Sequence, residues 1–202
     1  MSKVKLVFAA GWNYSKSISE ENEVAFGLNN ALPWGHLKED LASFKINTEG
    51  SVLLMGANTF KSLPAKLKGR LHVVMCSSTQ GLKTRDGSAP DTVIHGGSIS
   101  NAVSFLQGLY PEQDISIIGG KGIILEALKE KLPDEIYFNI IYPTNYCDMQ
   151  KDTIDFEFDV GIVEDDLLFD GYACYSNSNT CVTHPKVESF TQEKWKKLHE
   201  TV

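Results

Sequence analysis

Asp40 is the residue whose type and position most clearly suggest chemistry. A helix over residues 36–47 would bring side chains spaced three and four residues apart onto one face. The residues on that face are Leu37, Asp40, Leu41, Phe44 and either Asn47 or Thr48. An unpaired carboxylate on an apolar face is costly, so it requires an internal partner or a ligand that donates hydrogen bonds. Periodicity alone leaves open an internal salt bridge, a register that exposes Asp40, and a ligand site.

The segment just before this helix combines turn-forming and ring-binding residues. Residues 29–35 contain two asparagines followed by Leu32, Pro33 and Trp34. Such a loop can close over a flat ring, and the indole of Trp34 can donate a hydrogen bond. A plain helix entry with Trp34 packed in the core explains the same residues, and for the loop alone it is the favoured interpretation.

Two turns rich in small residues follow apolar runs and open helices. Gly119, Gly120 and Gly122 surround Lys121 in the first, and residues 55–60 form the second. Backbone N–H groups at the start of a helix can bind a phosphate with help from the helix dipole. Tight strand-to-helix turns also use glycine for purely structural reasons, so each turn alone is a weak signal. Together the two turns could hold one dinucleotide.

Other chemistries lack the residue spacing that they need. The 5 histidines show no HExxH pattern and are interpreted as surface or capping residues, and the 4 cysteines form no CxxC pair. No metal site is therefore predicted. Gly96-Gly97-Ser98 departs from the nucleophile-elbow pattern, so Ser98 is predicted to be a helix N-cap and a hydrolase is excluded.

The composition is that of one globular domain. The chain has 202 residues, of which 42% are hydrophobic and 22% are charged. A formal net charge of −7 disfavours a nucleic-acid partner, because phosphate binding needs a basic surface. The apolar run over residues 6–10 is too short for a signal peptide or a membrane span. We therefore expect a cytoplasmic protein without a membrane partner.

Short apolar runs alternate with stretches of helical spacing, which indicates an α/β fold with a mostly parallel sheet. The predicted strands are residues 4–10, 51–55, 72–76, 92–95, 115–118 and 136–142. The predicted helices are residues 36–47, 57–62, 98–109 and 121–131. Beyond residue 144 we expect antiparallel strands at 156–158, 161–169, 172–176 and 180–190, followed by a short polar helix over 192–200.

A series of motifs occurs in one order along the chain. The motifs are Leu6-Val7-Phe8-Ala9-Ala10, Leu32-Pro33-Trp34, Asp40-Leu41-Ala42-Ser43-Phe44-Lys45, Met55-Gly56-Ala57-Asn58-Thr59-Phe60, Gly69-Arg70, Cys76-Ser77 and Ile118-Gly119-Gly120. Their order and spacing, from about residue 4 to 141, resemble dihydrofolate reductase, and most closely its bacteriophage-encoded members.

The resemblance implies a dihydrofolate reductase-like α/β fold. Its central sheet would have eight strands, mostly parallel, with an antiparallel C-terminal edge and about four flanking helices. Residues 1–190 would form a single domain with an adenosine-binding subdomain over roughly 51–109, and residues 191–202 would be a polar C-terminal extension. A monomer is expected, with a homodimer left open, in the cytoplasm of the host if a phage encodes the chain.

The resemblance also implies the reaction. NADPH would reduce 7,8-dihydrofolate to 5,6,7,8-tetrahydrofolate by hydride transfer to C6 and protonation at N5, supplying one-carbon metabolism and thymidylate synthesis. Asp40 would anchor the pterin and favour N5 protonation, Trp34 would hold a water molecule, and Leu32 would lie in a loop that screens the nicotinamide. The implied partner is the small-molecule substrate.

The remaining implied contacts fall into two groups. Substrate would be bound by Val7, Phe8, Phe44, Leu63, Leu67, Arg70, Ile118 and Asn139, with Arg70 on the glutamate α-carboxylate. NADPH would be bound by Ala9, Asn30, Ala31, Leu32, Gly56, Asn58, Thr59, Met75, Cys76, Ser77, Ile118, Gly119, Gly120, Lys121, Gly122, Ile123 and Ile124.

Some positions depart from the family pattern. Asn139 replaces a threonine that usually supports the aspartate, and Ala57 and Gly122 replace arginines near the 2′-phosphate, which leaves the preference for NADPH over NADH open. Residues 11–23 form a longer loop. Two alternatives are a related pterin or riboflavin-pathway reductase and a non-catalytic folate- or nucleotide-binding structural protein.

Overall fold

A computed structural model describes residues 2–12, 23–27, 31–144, 152–155, 168–169 and 171–198. The elements of this part of the chain, in order, are β1 (Val4–Trp12), β2 (Glu23–Gly27), α1 (Lys38–Asn47), β3 (Val52–Gly56), α2 (Ala57–Ser62), β4 (Leu71–Met75), β5 (Thr92–Ile94), α3 (Ile99–Leu109), β6 (Ile115–Gly119), α4 (Lys121–Lys129), β7 (Glu135–Pro143), β8 (Asp152–Asp155), β9 (Leu168–Phe169), β10 (Tyr172–Cys181) and β11 (Val187–Lys197). The α/β class with a large mixed sheet is confirmed. The described residues contain 11 strands, because the short strands β2, β8 and β9 add antiparallel pairings to the predicted eight.

The first of two compact units comprises Met1–Val7 and Lys45–Glu135. Its strand order is β5-β4-β3-β6-β1, and every neighbouring pair is parallel. All residues of β6 are buried, as are the first four of β3. Parallel strands covered on both faces consist of nearly continuous apolar residues, which is why the sequence located them well. The predicted adenosine-binding region lies within this unit, and its role stays a prediction.

The second unit comprises Phe8–Phe44 and Ile136–Val202, with strand order β1-β7-β11-β10-β9. Strand β10 pairs antiparallel with β9 and β11, and β2 pairs antiparallel with β1 and β8. These pairings provide the antiparallel C-terminal edge that the sequence predicted. The buried cluster of this unit consists of Ala25, Trp34, Leu37, Ile141, Val187 and Phe190.

The helices follow the sequence prediction closely. Helix α2 has the predicted bounds, and Ser98 is confirmed as the N-cap of α3 because its hydroxyl accepts a hydrogen bond from the Asn101 N–H at 3.3 Å. Helix α1 begins at Lys38 rather than at residue 36, since the Leu37 carbonyl accepts the N–H of Leu41. Among the described residues no helix is long and apolar enough to cross a membrane.

The C-terminal strands differ from the sequence prediction. Strand β10 continues unbroken to Cys181, so the turn predicted near residues 177–179 is wrong. The helix predicted over 192–200 is also wrong, because β11 continues to Lys197 and crosses the expected domain boundary at residue 190. Polar cross-strand pairs such as Asn179 with Thr191 extend the ladder, and polarity alone suggested a turn and a solvated helix there. Residues 13–22, 156–167 and 199–200, where further loop and strand predictions fall, lie outside the described residues.

Trp195 provides a test of the packed end of β11. Its side chain is only 1% exposed, and its indole N–H donates to the Glu193 carboxylate at 3.1 Å. Trp195→Ala should lower the unfolding free energy by about 3–5 kcal/mol because it leaves a large cavity. The exposed neighbour Lys196 offers a matched control, and Lys196→Ala should change it by less than about 0.5 kcal/mol. Urea unfolding followed by circular dichroism measures both, and equal small effects would contradict a packed strand.

Candidate active site

Helix α1 places Asp40 on its buried side. Asp40 is 5% exposed and Ser43, one turn further along, is 7% exposed. The face predicted from the sequence is wrong at Leu41, which is 38% exposed. Asp40 also lies in the first turn of the helix, where the helix dipole favours a negative charge. The helix therefore holds a carboxylate inside the second unit and supplies part of its stabilisation.

Asn139 is the partner of Asp40 within the described residues. The Asn139 side-chain amide, on strand β7, donates to Oδ1 of Asp40 at 2.7 Å, and this bond is buried. No described lysine or arginine forms an ion pair with Asp40, so the internal salt bridge that the sequence left open is not found in this part of the chain. An ionised carboxylate has about four acceptor sites, so Asp40 can accept further hydrogen bonds.

Burial controls the protonation of Asp40. Desolvation raises the pKa of Asp40, and the Asn139 amide and the Trp34 indole oppose this shift. The side chain of Trp34 is 1% exposed, and its Nε1 makes no hydrogen bond of acceptable geometry with a described residue. An unsatisfied buried N–H costs about 1–3 kcal/mol. The indole thus lies close enough to favour the charged carboxylate and keeps a donor for water or a ligand.

Aromatic residues of the second unit are predicted to line the pterin pocket. The rings of Phe8 and Phe138 stack with centroids 4.6 Å apart and an interplanar angle of 18°. Phe44 is half-buried, and Leu32 is 38% exposed. Val7 precedes Phe8 in β1, and consecutive side chains of a strand face opposite sides of the sheet. Only one of these two side chains can therefore line a pocket on a given face.

The two glycine turns lie side by side in the first unit. Strands β3 and β6 are parallel neighbours, so their carboxyl ends and the turns that follow them meet. A Cβ atom on Gly56 would lie 3.6 Å from the backbone nitrogen of Gly120, and a Cβ on Gly120 would lie 3.3 Å from the hydroxyl of Thr59. Gly119 has φ +127°, which L side chains rarely adopt. Neither α2 nor α4 has a side-chain N-cap, and N–H groups at such helix starts can bind an anion.

The other predicted cofactor residues occupy varied environments. Asn58, Ser77, Lys121 and Gly122 are exposed near the carboxyl ends of β3, β4 and β6, while Met75, Cys76 and Ile123 are half-buried. Ile124 is fully buried, so its side chain lies on the buried face of α4 rather than on a surface. In the second unit Ala9 is half-buried and Ala31 is exposed. Asn30 lies outside the described residues, and Ile118, predicted for both ligands, is 8% exposed.

A loop between α2 and β4 carries the remaining predicted substrate residues, Leu63, Leu67 and Arg70. Nε of Arg70 is buried and has no hydrogen-bond partner among the described residues. The backbone N–H of Leu67 donates to Nε2 of His72 at 3.0 Å. The interpretation of every histidine as a surface or capping residue is wrong for His72, which is fully buried. Its place inside the predicted strand 72–76 was the sequence signal for that burial.

Comparisons with known proteins agree with this geometry. A family model described as dihydrofolate reductase matches residues 17–160. Dihydrofolate reductase type 8 of Escherichia coli is 34% identical over 143 residues, which cover 70% of this chain and 83% of that protein. Dihydrofolate reductase type 9 of Escherichia coli is 39% identical over 111 residues, covering 52% and 59%. Dihydrofolate reductase of Haemophilus influenzae is 34% identical over 117 residues, covering 57% and 63%. The likeness to bacteriophage enzymes stays a prediction.

The raised pKa of Asp40 predicts a pH-dependent cost in stability. The folded state binds this proton more tightly than the unfolded chain, so wild type loses stability as the pH rises from the ordinary pKa of 3.8 through the folded value. Asp40→Asn avoids the buried charge, and its melting temperature at pH 7 should exceed that of wild type by about 2–4 °C. The difference should vanish as the pH falls toward 3.8.

Thermal unfolding across this pH range measures the effect. Glu39→Gln removes the exposed carboxylate next along α1 and serves as the control, with no comparable gain expected. A less stable Asp40→Asn variant at pH 7 would contradict a net cost of burying the charge.

Proposed function

The chain belongs to the dihydrofolate reductase family, and from this premise we propose that it reduces 7,8-dihydrofolate to 5,6,7,8-tetrahydrofolate with NADPH. The observation that carries the proposal is the environment of Asp40. The carboxylate is buried, it receives one amide donor from Asn139, and no described cation pairs with it. A ligand that presents adjacent N–H groups would complete its hydrogen bonds.

The pterin ring has such donors in its 2-amino group and N3. Both would donate to Asp40, and paired charge-assisted hydrogen bonds orient a planar ring as well as bind it. The bond from Asn139 to Oδ1 holds the carboxylate plane on one side. We therefore assign Asp40 to pterin anchoring and Asn139 to positioning it, the role that a threonine has elsewhere in the family.

Protonation at N5 needs an acid whose pKa is close to the working pH. Burial raises the pKa of Asp40 in that direction. The Nε1–H of Trp34 lies near Asp40 but makes no hydrogen bond of acceptable geometry with a described residue, and it would hold a water molecule between the carboxyl group and N5. In this arrangement Asp40 is the only ionisable group assigned to the chemistry, and Trp34 directs the proton.

The residues of the first unit fit a dinucleotide phosphate. Gly56 and Gly120 lack side chains where they approach each other and the Thr59 hydroxyl, and helix starts without side-chain N-caps lie at the same edge. NADPH supplies a hydride when it is bound. The exposed residues Asn58, Ser77, Ser78 and Lys121 would be the ones to contact a 2′-phosphate in place of the family arginines. Preference for NADPH over NADH depends on these weaker contacts.

Several wider expectations accompany the reaction. The product would supply one-carbon metabolism and thymidylate synthesis. The cytoplasmic location, the monomeric state and the single domain over residues 1–190 stay predictions, as does the role of the C-terminal extension.

The reaction predicts a defined loss of activity in Asp40→Asn. Wild type should oxidise NADPH in the presence of dihydrofolate, and Asp40→Asn should lower kcat by about 10²-fold or more because both ring anchoring and proton supply are lost. Glu39→Gln should stay within about twofold of wild type, since its carboxylate is exposed.

Spectrophotometric assays with NADPH and NADH, run on dihydrofolate, a dihydropterin and a riboflavin-pathway pyrimidinone, measure these rates and separate the related reductases. Folded wild-type protein that turns over none of these substrates would contradict the proposal.

Gly120 predicts a selective effect on cofactor binding. Its φ of −81° is accessible to alanine, so Gly120→Ala should fold, but the new Cβ would lie 3.3 Å from the Thr59 hydroxyl at the turn. We expect the KM for NADPH to rise about tenfold while the KM for dihydrofolate changes little, because the substitution crowds the phosphate turn alone. Gly108→Ala on α3 meets no atom within 4 Å and should leave both constants unchanged. An unchanged KM for NADPH in Gly120→Ala would argue against phosphate binding here.

A further inference from the structure

The loop of residues 63–70 between α2 and β4 is anchored to the sheet by side chains that the reaction does not use. It carries Leu67 and Arg70, the residues proposed to meet the benzoyl and glutamate parts of dihydrofolate. Gly69, next to Arg70, has φ +73°, so the chain turns sharply before β4 begins. Arg70 is therefore the last residue of a short loop, and its position depends on the contacts that hold the loop.

His72, the second residue of β4, contacts this loop. Its ring is fully buried, and Nε2 accepts the backbone N–H of Leu67 at 3.0 Å. An accepting Nε2 assigns the ring proton to Nδ1. Burial lowers the pKa of His72, with Asp91 opposing, so the neutral ring remains an acceptor. This hydrogen bond joins the backbone of Leu67, before Arg70, to the side chain of His72, after it.

Asp91 fixes both His72 and the loop. Its Oδ2 accepts the backbone N–H of His72 at 2.8 Å and lies 3.5 Å from Nδ1 of the same residue. Its Oδ1 forms an ion pair with Lys66, within the loop. The Asp91 N–H in turn donates to the His72 carbonyl at 2.9 Å. One carboxylate thus joins the loop, the start of β4 and the segment that leads into β5.

We propose that His72 and Asp91 are positioning residues that hold the 63–70 loop so that Arg70 binds the α-carboxylate of the folate glutamate. The proposal rests on the proposed function. Fixing an Arg side chain costs rotamer entropy, so a guanidinium binds a carboxylate best from a backbone that is already held. Nε of Arg70, buried without a partner among the described residues, provides a donor on that side of the loop.

The test compares two ligands that differ only in the glutamate. His72→Leu removes the acceptor for Leu67, whereas His72→Gln can place its amide oxygen near the position of Nε2. In His72→Leu the KM and the Kd for dihydrofolate should rise about five- to tenfold, the worth of roughly one hydrogen bond. Values for dihydropteroate, which lacks glutamate, should stay within about twofold, as should kcat and the KM for NADPH. His72→Gln should restore the affinity for dihydrofolate.

Val73→Ala provides a matched control for loosened packing in β4. Val73 is fully buried beside His72, and its substitution should destabilise the strand without touching the loop bonds. Thermal unfolding measures that loss of stability. The ratio of the Kd for dihydrofolate to the Kd for dihydropteroate should be the same as in wild type.

Two outcomes would overturn the positioning role. One is an equal rise in the KM values for dihydrofolate, dihydropteroate and NADPH in His72→Leu, which would indicate general loosening of the protein. The other is an unchanged KM and Kd for both folate ligands. If wild type binds dihydrofolate tenfold more tightly than dihydropteroate but turns over neither, the proposed reaction is rejected. The dihydrofolate-to-dihydropteroate Kd ratios of the variants would still test the positioning role of His72. A wild type that binds neither ligand would reject both.

Discussion

A carboxylate buried without a counterion in the part of the chain that the structure describes is the constraint on which the proposed site depends. Most buried charges in proteins are neutralised by an opposite charge, whereas Asp40 has a neutral amide and a nearby indole. The start of α1 adds a favourable dipole, and Asn139 on β7 supplies the amide donor. The elements of the second unit thus keep Asp40 ionisable and in one orientation while leaving acceptor capacity for a ring.

On the proposed function, the first unit would bind the phosphates of the dinucleotide. Parallel neighbours β3 and β6 bring two helix starts together, and the glycines there remove the side chains that would fill the space. On the proposed function, backbone N–H groups at these helix starts would bind the phosphates that arginines bind elsewhere in the family.

Sequence reasoning located what depends on local pattern and missed what depends on distant pairing. Helical spacing identified the burial of Asp40, but Asn139, 99 residues away, could be linked to it only through the family resemblance. The buried parallel strands were found because their apolar residues are continuous. The part of β11 beyond residue 190 was missed because the buried Trp195 stands among lysines, which made the segment read as a polar helix. The hydrogen bond from the Leu67 N–H to His72 was missed because no sequence pattern shows a backbone donor.

The indole N–H of Trp34 lies near the Asp40 carboxylate but makes no hydrogen bond of acceptable geometry with a described residue. A bound pterin and its water would satisfy groups that otherwise weaken the fold, so mass action links the folded population to the supply of substrate. In a cell that clears unfolded chains by proteolysis, the amount of this protein would follow folate availability without any dedicated regulator. The stability lost to the proposed site would then make the abundance of the protein depend on its substrate.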